Sequence, residues 1–300
     1  MHIYMAPYLR RKCYYSIINA GWQEFFEKIF LKAEIMKDAM IIDTHAHYDD
    51  EAFDEDRAEI LEGMKEQGVE TIINAAASMD GCRRTLELTQ EFPFVFGMLG
   101  VHPDDVGDLT EADMDFIKKN AAEKKIVAIG EIGLDYHWDI ADRKVQRHWF
   151  IRQMEVAREA GLPICVHSRD AAEDTLMAMK EAHAENIGGV IHCYSYSREF
   201  AGEFLNMGFY FGIGGVVTFK NGRKCKETVE MLPMDRIILE TDAPYLAPEP
   251  FRGRRNNSAY LSYVAEKIAE IKGITKQEVI EKTGCNARTL YKKLVSSMPE

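Results

Sequence analysis

The chain has 300 residues, 46% hydrophobic and 29% charged, which suits one large soluble domain or two modest ones. A net charge of −12 excludes a protein whose whole surface attracts nucleic acid, though it leaves room for a local basic rim around a site. No apolar run is long enough to span a membrane, and the cysteines at 13, 82, 165, 193, 225 and 285 include no CxxC pair, so a zinc ribbon or thioredoxin motif is not expected and a reducing, cytoplasmic setting is.

Residues 1–39 carry Leu9-Arg10-Arg11-Lys12 and a mixed helix-like run from Gln23 to Ala39. They lack the apolar core and cleavage site of a secretory signal, and Glu24, Glu27, Glu34 and Asp38 are too many acids for a transit peptide. The segment reads either as an accessory helix or as sequence upstream of a start at Met36 or Met40. From Met40 the pattern is strand then helix, repeated eight times. Strand 1 is expected at Met40–Asp43, with a helix over about 55–67. Strand 2 is expected at Glu70–Asn74 with a helix through Arg83–Gln90, and strand 3 at Phe94–Gly100. Thr110, followed by Glu111 and Asp113, has the character of a helix cap. Strand 4 is expected at Ile126–Gly130, followed by the longest helix, about Asp142–Ala160, which ends at Gly161. Strand 5 is Pro163–Val166 with a helix through Lys180. Strand 6 is Gly189–His192, then a helix near Arg198–Met207. Strand 7 is Phe209–Ile213, with a helix near Cys225–Met231, and strand 8 is Arg236–Leu239. Helices over about 258–272, 276–283 and 286–295 finish the chain, and the Pro-rich stretch 243–253 reads as an active-site loop.

This alternation predicts an α/β fold, a (β/α)8 TIM barrel over 40–300 with a short N-terminal extension at 1–39. An open doubly wound sheet is the rival, but only closure brings strands 1, 4, 5, 6 and 8 around one axis. Those five strands end in His, Glu or Asp. His45 and His47 are two apart, so a strand points both imidazoles the same way. Glu131 ends strand 4, and a carboxylate there can bridge two cations. His167 and His192 end strands 5 and 6, and Asp242 follows strand 8. Four imidazoles and two carboxylates suit zinc, manganese, iron or nickel, with magnesium admitted by the carboxylates. Six donors exceed what one tetrahedral ion needs, so two divalent ions (Mg, Mn or Zn) are expected. Buried singly, each His would be satisfied by a carbonyl; four together at one barrel end would carry a large desolvation cost without a shared partner.

Around them, His102 reads as a phosphate contact, Glu240 as orienting a ligating His or joining an ion pair lower in the barrel, and Asp135 as a cap or a support for Glu131. Lys220, Arg252, Arg254 and Arg255 fall on barrel-end loops and are candidates for substrate phosphates. His137, His148 and His183 read as surface or packing residues, and Phe150, Tyr194 and Phe219 as core or pocket walls.

Taken together, HxH after strand 1, GEIGLDYHWD, LPICVHSRDA, IHCYS, GGVVTFKN and ILETDAPYL with the following FRGRRN resemble the TatD-type deoxyribonuclease family over Met40 to the end. The resemblance implies a binuclear site in which His45, His47 and Asp242 hold one metal, His167 and His192 the other, and Glu131 bridges. It also implies phosphodiester hydrolysis on DNA, often as a 3′→5′ exonuclease, with single-stranded ends as substrate, no membrane and no obligate protein partner. Asp242 and Glu131 are then the catalytic carboxylates: a hydroxide held by the cations attacks phosphorus, and Asp242 takes the proton. The chain departs from the family pattern at Asn256-Asn257-Ser258, where Asn-Glu-Pro is common, and at Tyr196, where Gly is usual. Rival readings are another hydrolase of the same barrel superfamily acting on an amide, lactone or nucleobase, and a non-catalytic nucleic-acid-binding barrel. Many of the former carry a strand-4 lysine where this chain has Glu131, and the latter is expected to have lost ligands.

Overall fold

The computed structural model describes residues 39–138 and 140–296. The chain divides into Met1–Ala39 and Met40–Glu300, and the expected N-terminal extension, with its candidate helix, falls outside the described residues save for Ala39. Eight strands, β1 (Ile41–Ala46), β2 (Val69–Ala75), β3 (Val95–Leu99), β4 (Ile126–Asp135), β5 (Ile164–Arg169), β6 (Gly189–Ile191), β7 (Tyr210–Ile213) and β8 (Ile237–Leu239), lie side by side in chain order and in parallel. They are almost wholly buried and rich in Ile and Val, the composition of a parallel sheet covered on both faces.

Helices cover the outside: α1 (Arg57–Glu62), α2 (Met79–Glu91), α3 (Glu111–Asn120), α4 (Arg143–Ala160), α5 (Ala172–Glu181), α6 (Arg198–Asn206), α7 (Arg223–Met231), α8 (Leu261–Lys272), α9 (Lys276–Leu290) and α10 (Lys293–Ser296). Local chemistry sets several ends. The Asp113 carboxylate accepts from both the N–H and the hydroxyl of Thr110 to start α3. Gly161 takes a left-handed φ of 65° to end α4.

The barrel shuts between β8 and β1. Ala46 bridges Ala243 in parallel, His47 N–H donates to Ala243 O at 2.7 Å, and Asp242 N–H donates to His45 O at 2.9 Å. Asp43 anchors this seam. Its buried carboxylate accepts from the hydroxyls of Thr241 and Ser258 at 2.7 and 2.6 Å. Burial raises its pKa to about 7 against those hydrogen bonds. Ser258, one of the departures from the family pattern, is therefore fully buried scaffolding at the seam.

β5 runs three residues past its expected end, to Arg169, the first helix is shorter than expected at Arg57–Glu62, and three further elements differ from the sequence expectation. β1 runs on through Ala46, so His45 lies inside the strand. β4 extends to Asp135, because residues 132–135 go on pairing with 166–169 of β5 after a register irregularity between Ile129 and Ile132. The expected helices at 276–283 and 286–295 are one helix, α9, to Leu290 and a short α10. Gly284 does not break α9, since tertiary contacts fix it. Asn286 donates to the carbonyls of Met234 and Ile237 at the start of β8, and Ala287, Tyr291 and Leu294 join the core formed by Ile42, Val127, Cys165 and Ile238. This packing closes the end of the barrel where the strands begin, opposite the candidate site.

Candidate metal centre

The C-terminal strand ends bring His45, His47, Glu131, His167, His192 and Asp242 together, and all but the fully buried His45 line a cavity of about 710 Å³. His45 Nε2 and His47 Nε2 are 3.1 Å apart. Glu131 Oε2 lies 3.4 and 3.6 Å from them, and Asp242 Oδ1 3.7 and 3.3 Å. A tetrahedron of donors with bonds of about 2.0–2.2 Å has edges of about 3.3–3.6 Å, and these five separations, 3.1–3.7 Å, lie close to that range. The other oxygen of Glu131, Oε1, lies 2.6 Å from His167 Nδ1 and 3.6 Å from His192 Nε2. One carboxylate thus faces two histidine pairs, one oxygen to each. Asp242 adopts a left-handed φ of 59°, which sets its carboxylate among the ligands, 3.6 Å from His192 Nε2 as well.

Each imidazole is held from behind through its other nitrogen. His47 Nδ1 lies 2.7 Å from the Ala75 carbonyl and His45 Nδ1 3.3 Å from Cys165 Sγ. His167 Nε2 lies 3.0 Å from Asp135 Oδ2, and His192 Nδ1 stands 3.1 Å from Glu240 Oε1 as an ion-pair contact without hydrogen-bond geometry. Such partners fix ring orientation and ligand basicity. Asp135 therefore supports His167, not Glu131, with one oxygen and caps the following segment with the other, as one of its two sequence readings had it; Glu240 stands beside His192. His45 stacks on His192 with ring centroids 3.7 Å apart.

The electrostatics favour a cation. Burial works against the charge of Glu131, but His192, His167 and His45 outweigh it and hold the carboxyl well below the usual range. Burial likewise opposes protonation of His47, yet Asp242 and Glu131 raise it to about 9. His167 reaches about 9 and His192 about 10 against the same burial, through Glu131 with Asp135 and through Glu240 with Glu131. Without a cation these imidazoles hold protons at neutral pH, and a cation must displace them. Metal binding is therefore expected to release protons and to tighten as pH rises toward about 9, by about tenfold per pH unit for each proton displaced. Calorimetric titration of metal-stripped protein in buffers of different ionisation enthalpy measures this. No net release at pH 7.5 would contradict the site as drawn.

The remaining candidates divide. His102 lines the cavity, its ring 4.2 Å from that of His167. Its Nδ1 accepts the Asp104 N–H at 3.2 Å, and burial together with His167 pushes its pKa down to about 3. The ring is therefore neutral, with its proton on Nε2. Lys220, Arg252, Arg254 and Arg255 are exposed and do not line the cavity. Arg252 lies over Phe219 at 4.4 Å, and Arg255 is engaged by the Asp56 carboxylate and the Ala52 carbonyl. The sequence reading missed Arg169, the one Lys or Arg among the described residues lining the cavity, and the wall residues Trp138, Tyr245 and Leu246. Arg169 shares strand parity with His167, a signal that was available; Trp138 sits in a loop, where no periodicity marks it. The lining also includes Asp49, Asp50, Asp104 and Asp105, so the mouth is acidic.

Residues 42–292 match the family model described as TatD related DNase. The chain is 45% identical over 253 residues to the uncharacterized metal-dependent hydrolase YabD of Bacillus subtilis, covering 84% of this chain and 99% of that protein. It is 32% identical over 244 residues to the 3′-5′ ssDNA/RNA exonuclease TatD of Salmonella typhimurium, covering 80% and 94%. The crystal structure of YJJV, a TatD homolog from Escherichia coli K12, superposes with a TM-score of 0.80 at 28% identity, covering 85% of this chain and 98% of that one.

Proposed function

The chain belongs to the TatD-related DNase family of metal-dependent hydrolases, and from that premise we propose that it hydrolyses DNA phosphodiester bonds, removing nucleotides from single-stranded 3′ ends with two divalent cations. The observation that carries this reading is the two-sided use of Glu131, with Oε2 toward His45 and His47 and Oε1 toward His167 and His192. When bound, a cation pair supplies the acidity that makes water nucleophilic at neutral pH and offsets charge on the phosphoryl oxygens. The chain's own groups do the rest. Asp242 is the most exposed of the two central carboxylates, at 17% against 4% for Glu131, and faces the cavity. It is the group to accept the proton of the attacking water. The neutral His102 ring offers an N–H to a phosphoryl oxygen without competing for a cation. Arg169 supplies the charged fork that phosphate geometry suits. Because carboxylates outnumber cationic side chains in the mouth, an anionic strand enters favourably only when cations are bound. Strand binding itself is then metal-dependent.

The test is metal-stripped protein titrated with Mg²⁺, Mn²⁺ and Zn²⁺ against 3′- and 5′-labelled oligonucleotides, single-stranded and duplex. Metal-dependent release of mononucleotides from the 3′ end of the single strand is expected, with duplex cleaved more slowly. No cleavage of any oligonucleotide under saturating metal, beside turnover of a small amide or lactone, would replace this reading with the other barrel-hydrolase one.

A further inference from the structure

One wall of the cavity carries an aromatic group that the hydrolytic chemistry does not use. Trp138, just after β4, is 60% exposed yet lines the same cavity as the histidines. The Arg169 guanidinium lies 5.4 Å above its ring, and the His137 ring meets it edge-on at 4.9 Å. Its backbone is anchored: Asp135 Oδ1 accepts the N–H groups of His137 and Trp138 at 2.8 and 3.3 Å. His137 is tied in turn to Asp170 at 3.0 Å, and Tyr136 donates to Asp174 at 2.8 Å. An indole held in place but left open to water beside a catalytic cavity has an unfilled face. Tyr245 and Leu246, 53% and 37% exposed, line the cavity from the β8 side, so exposed apolar surface borders the acidic mouth on that side as well.

We propose that Trp138 and Arg169 form a base-binding subsite for the unpaired terminal nucleotide, with the nucleobase stacked on the indole and Arg169 toward the adjoining phosphate. This rests on the nuclease reading above and deepens it. An indole face takes any of the four bases, so the subsite is sequence-tolerant, while a base still paired within a duplex has no free face to offer. The subsite therefore supplies a preference for single-stranded ends that the metal ligands cannot. Asp135 places it beside the chemistry, since its other oxygen is the one 3.0 Å from His167 Nε2.

The experiment compares metal-loaded native chain, Trp138→Ala and Trp138→Phe. Calorimetric binding of 2′-deoxyadenosine 5′-monophosphate is set beside that of 2-deoxyribose 5-phosphate, which lacks the base. KM and kcat are measured for single strands whose 3′-terminal nucleotide carries or lacks its base. The native chain is expected to prefer the base-bearing ligand roughly 5- to 150-fold. Trp138→Ala should collapse that ratio toward one and raise KM more than it lowers kcat, and Trp138→Phe should restore most of the preference. Equal native affinity for the two ligands, or a preference untouched by Trp138→Ala, would overturn the subsite even if DNA were cleaved normally. A Trp138-dependent preference in a protein that cleaves no DNA would leave the subsite standing and sink the nuclease reading instead.

Discussion

Glu131→Ala is expected to lower oligonucleotide hydrolysis by at least about 10³-fold, because in the proposed site several kcal/mol of charge stabilisation would depend on cations that this one carboxylate would help to hold. Its two oxygens serve different histidine pairs, so the loss should appear first in the cation count. Elemental analysis after equilibration with saturating Mn²⁺ or Zn²⁺ should fall from two ions per chain to one or fewer. Glu131→Gln keeps the shape without the charge and should be nearly as inactive. The backbone bond from Glu131 N–H to Ala76 O survives both changes, and circular dichroism should report a folded barrel. Activity within tenfold of the native chain, or two ions still bound to either variant, would remove Glu131 from the centre of the site.

The second large effect is expected one layer deeper. Glu240 is buried, lies 3.1 Å from His192 Nδ1 and accepts the Cys193 N–H. Glu240→Gln should weaken cation binding by about 10- to 100-fold through the loss of charge behind the ligating ring. β7 makes room for this carboxylate with a glycine: a Cβ added at Gly212 would stand 2.0 Å from Glu240 Oε2. Gly212→Ala should therefore displace Glu240 and reproduce the weakened binding, with about 1–3 kcal/mol of overpacking cost besides. Competition against a chromophoric chelator reads the affinity without any turnover. An unchanged dissociation constant in Glu240→Gln would assign Glu240 to packing alone.

The barrel and the convergence of its candidate ligands were legible because buried parallel strands are near-continuous apolar runs, and a polar residue at the end of such a run stands out. Ile41-Ile42 before His45, and Ile164-Cys165-Val166 before His167, are of this kind. β4 was read short since Gly130 and Gly133 look like the end of a strand. In the fold, Gly133 at φ 157° lies so close to β5 that a Cβ would meet the His167 carbonyl at 1.8 Å, so glycine there keeps the pairing going. The basic residues were harder. Position after β8 put Arg252, Arg254 and Arg255 on the catalytic side, but where a long side chain goes depends on partners remote in sequence. Arg255 is engaged by Asp56, 199 residues away. The expected break between helices at 283 and 286 was likewise a local expectation that the packing of Ala287 and Tyr291 overrode.

Asp135 grips the loop after β4 by its main chain, through the N–H groups of residues 137 and 138, and grips His167 by a side chain. The hold on the loop is indifferent to which side chains sit there. Mutational drift can therefore change the side chains at the mouth of the cavity while the candidate metal ligands keep their positions. Proline, which has no N–H, is the single residue that this arrangement bars from both positions.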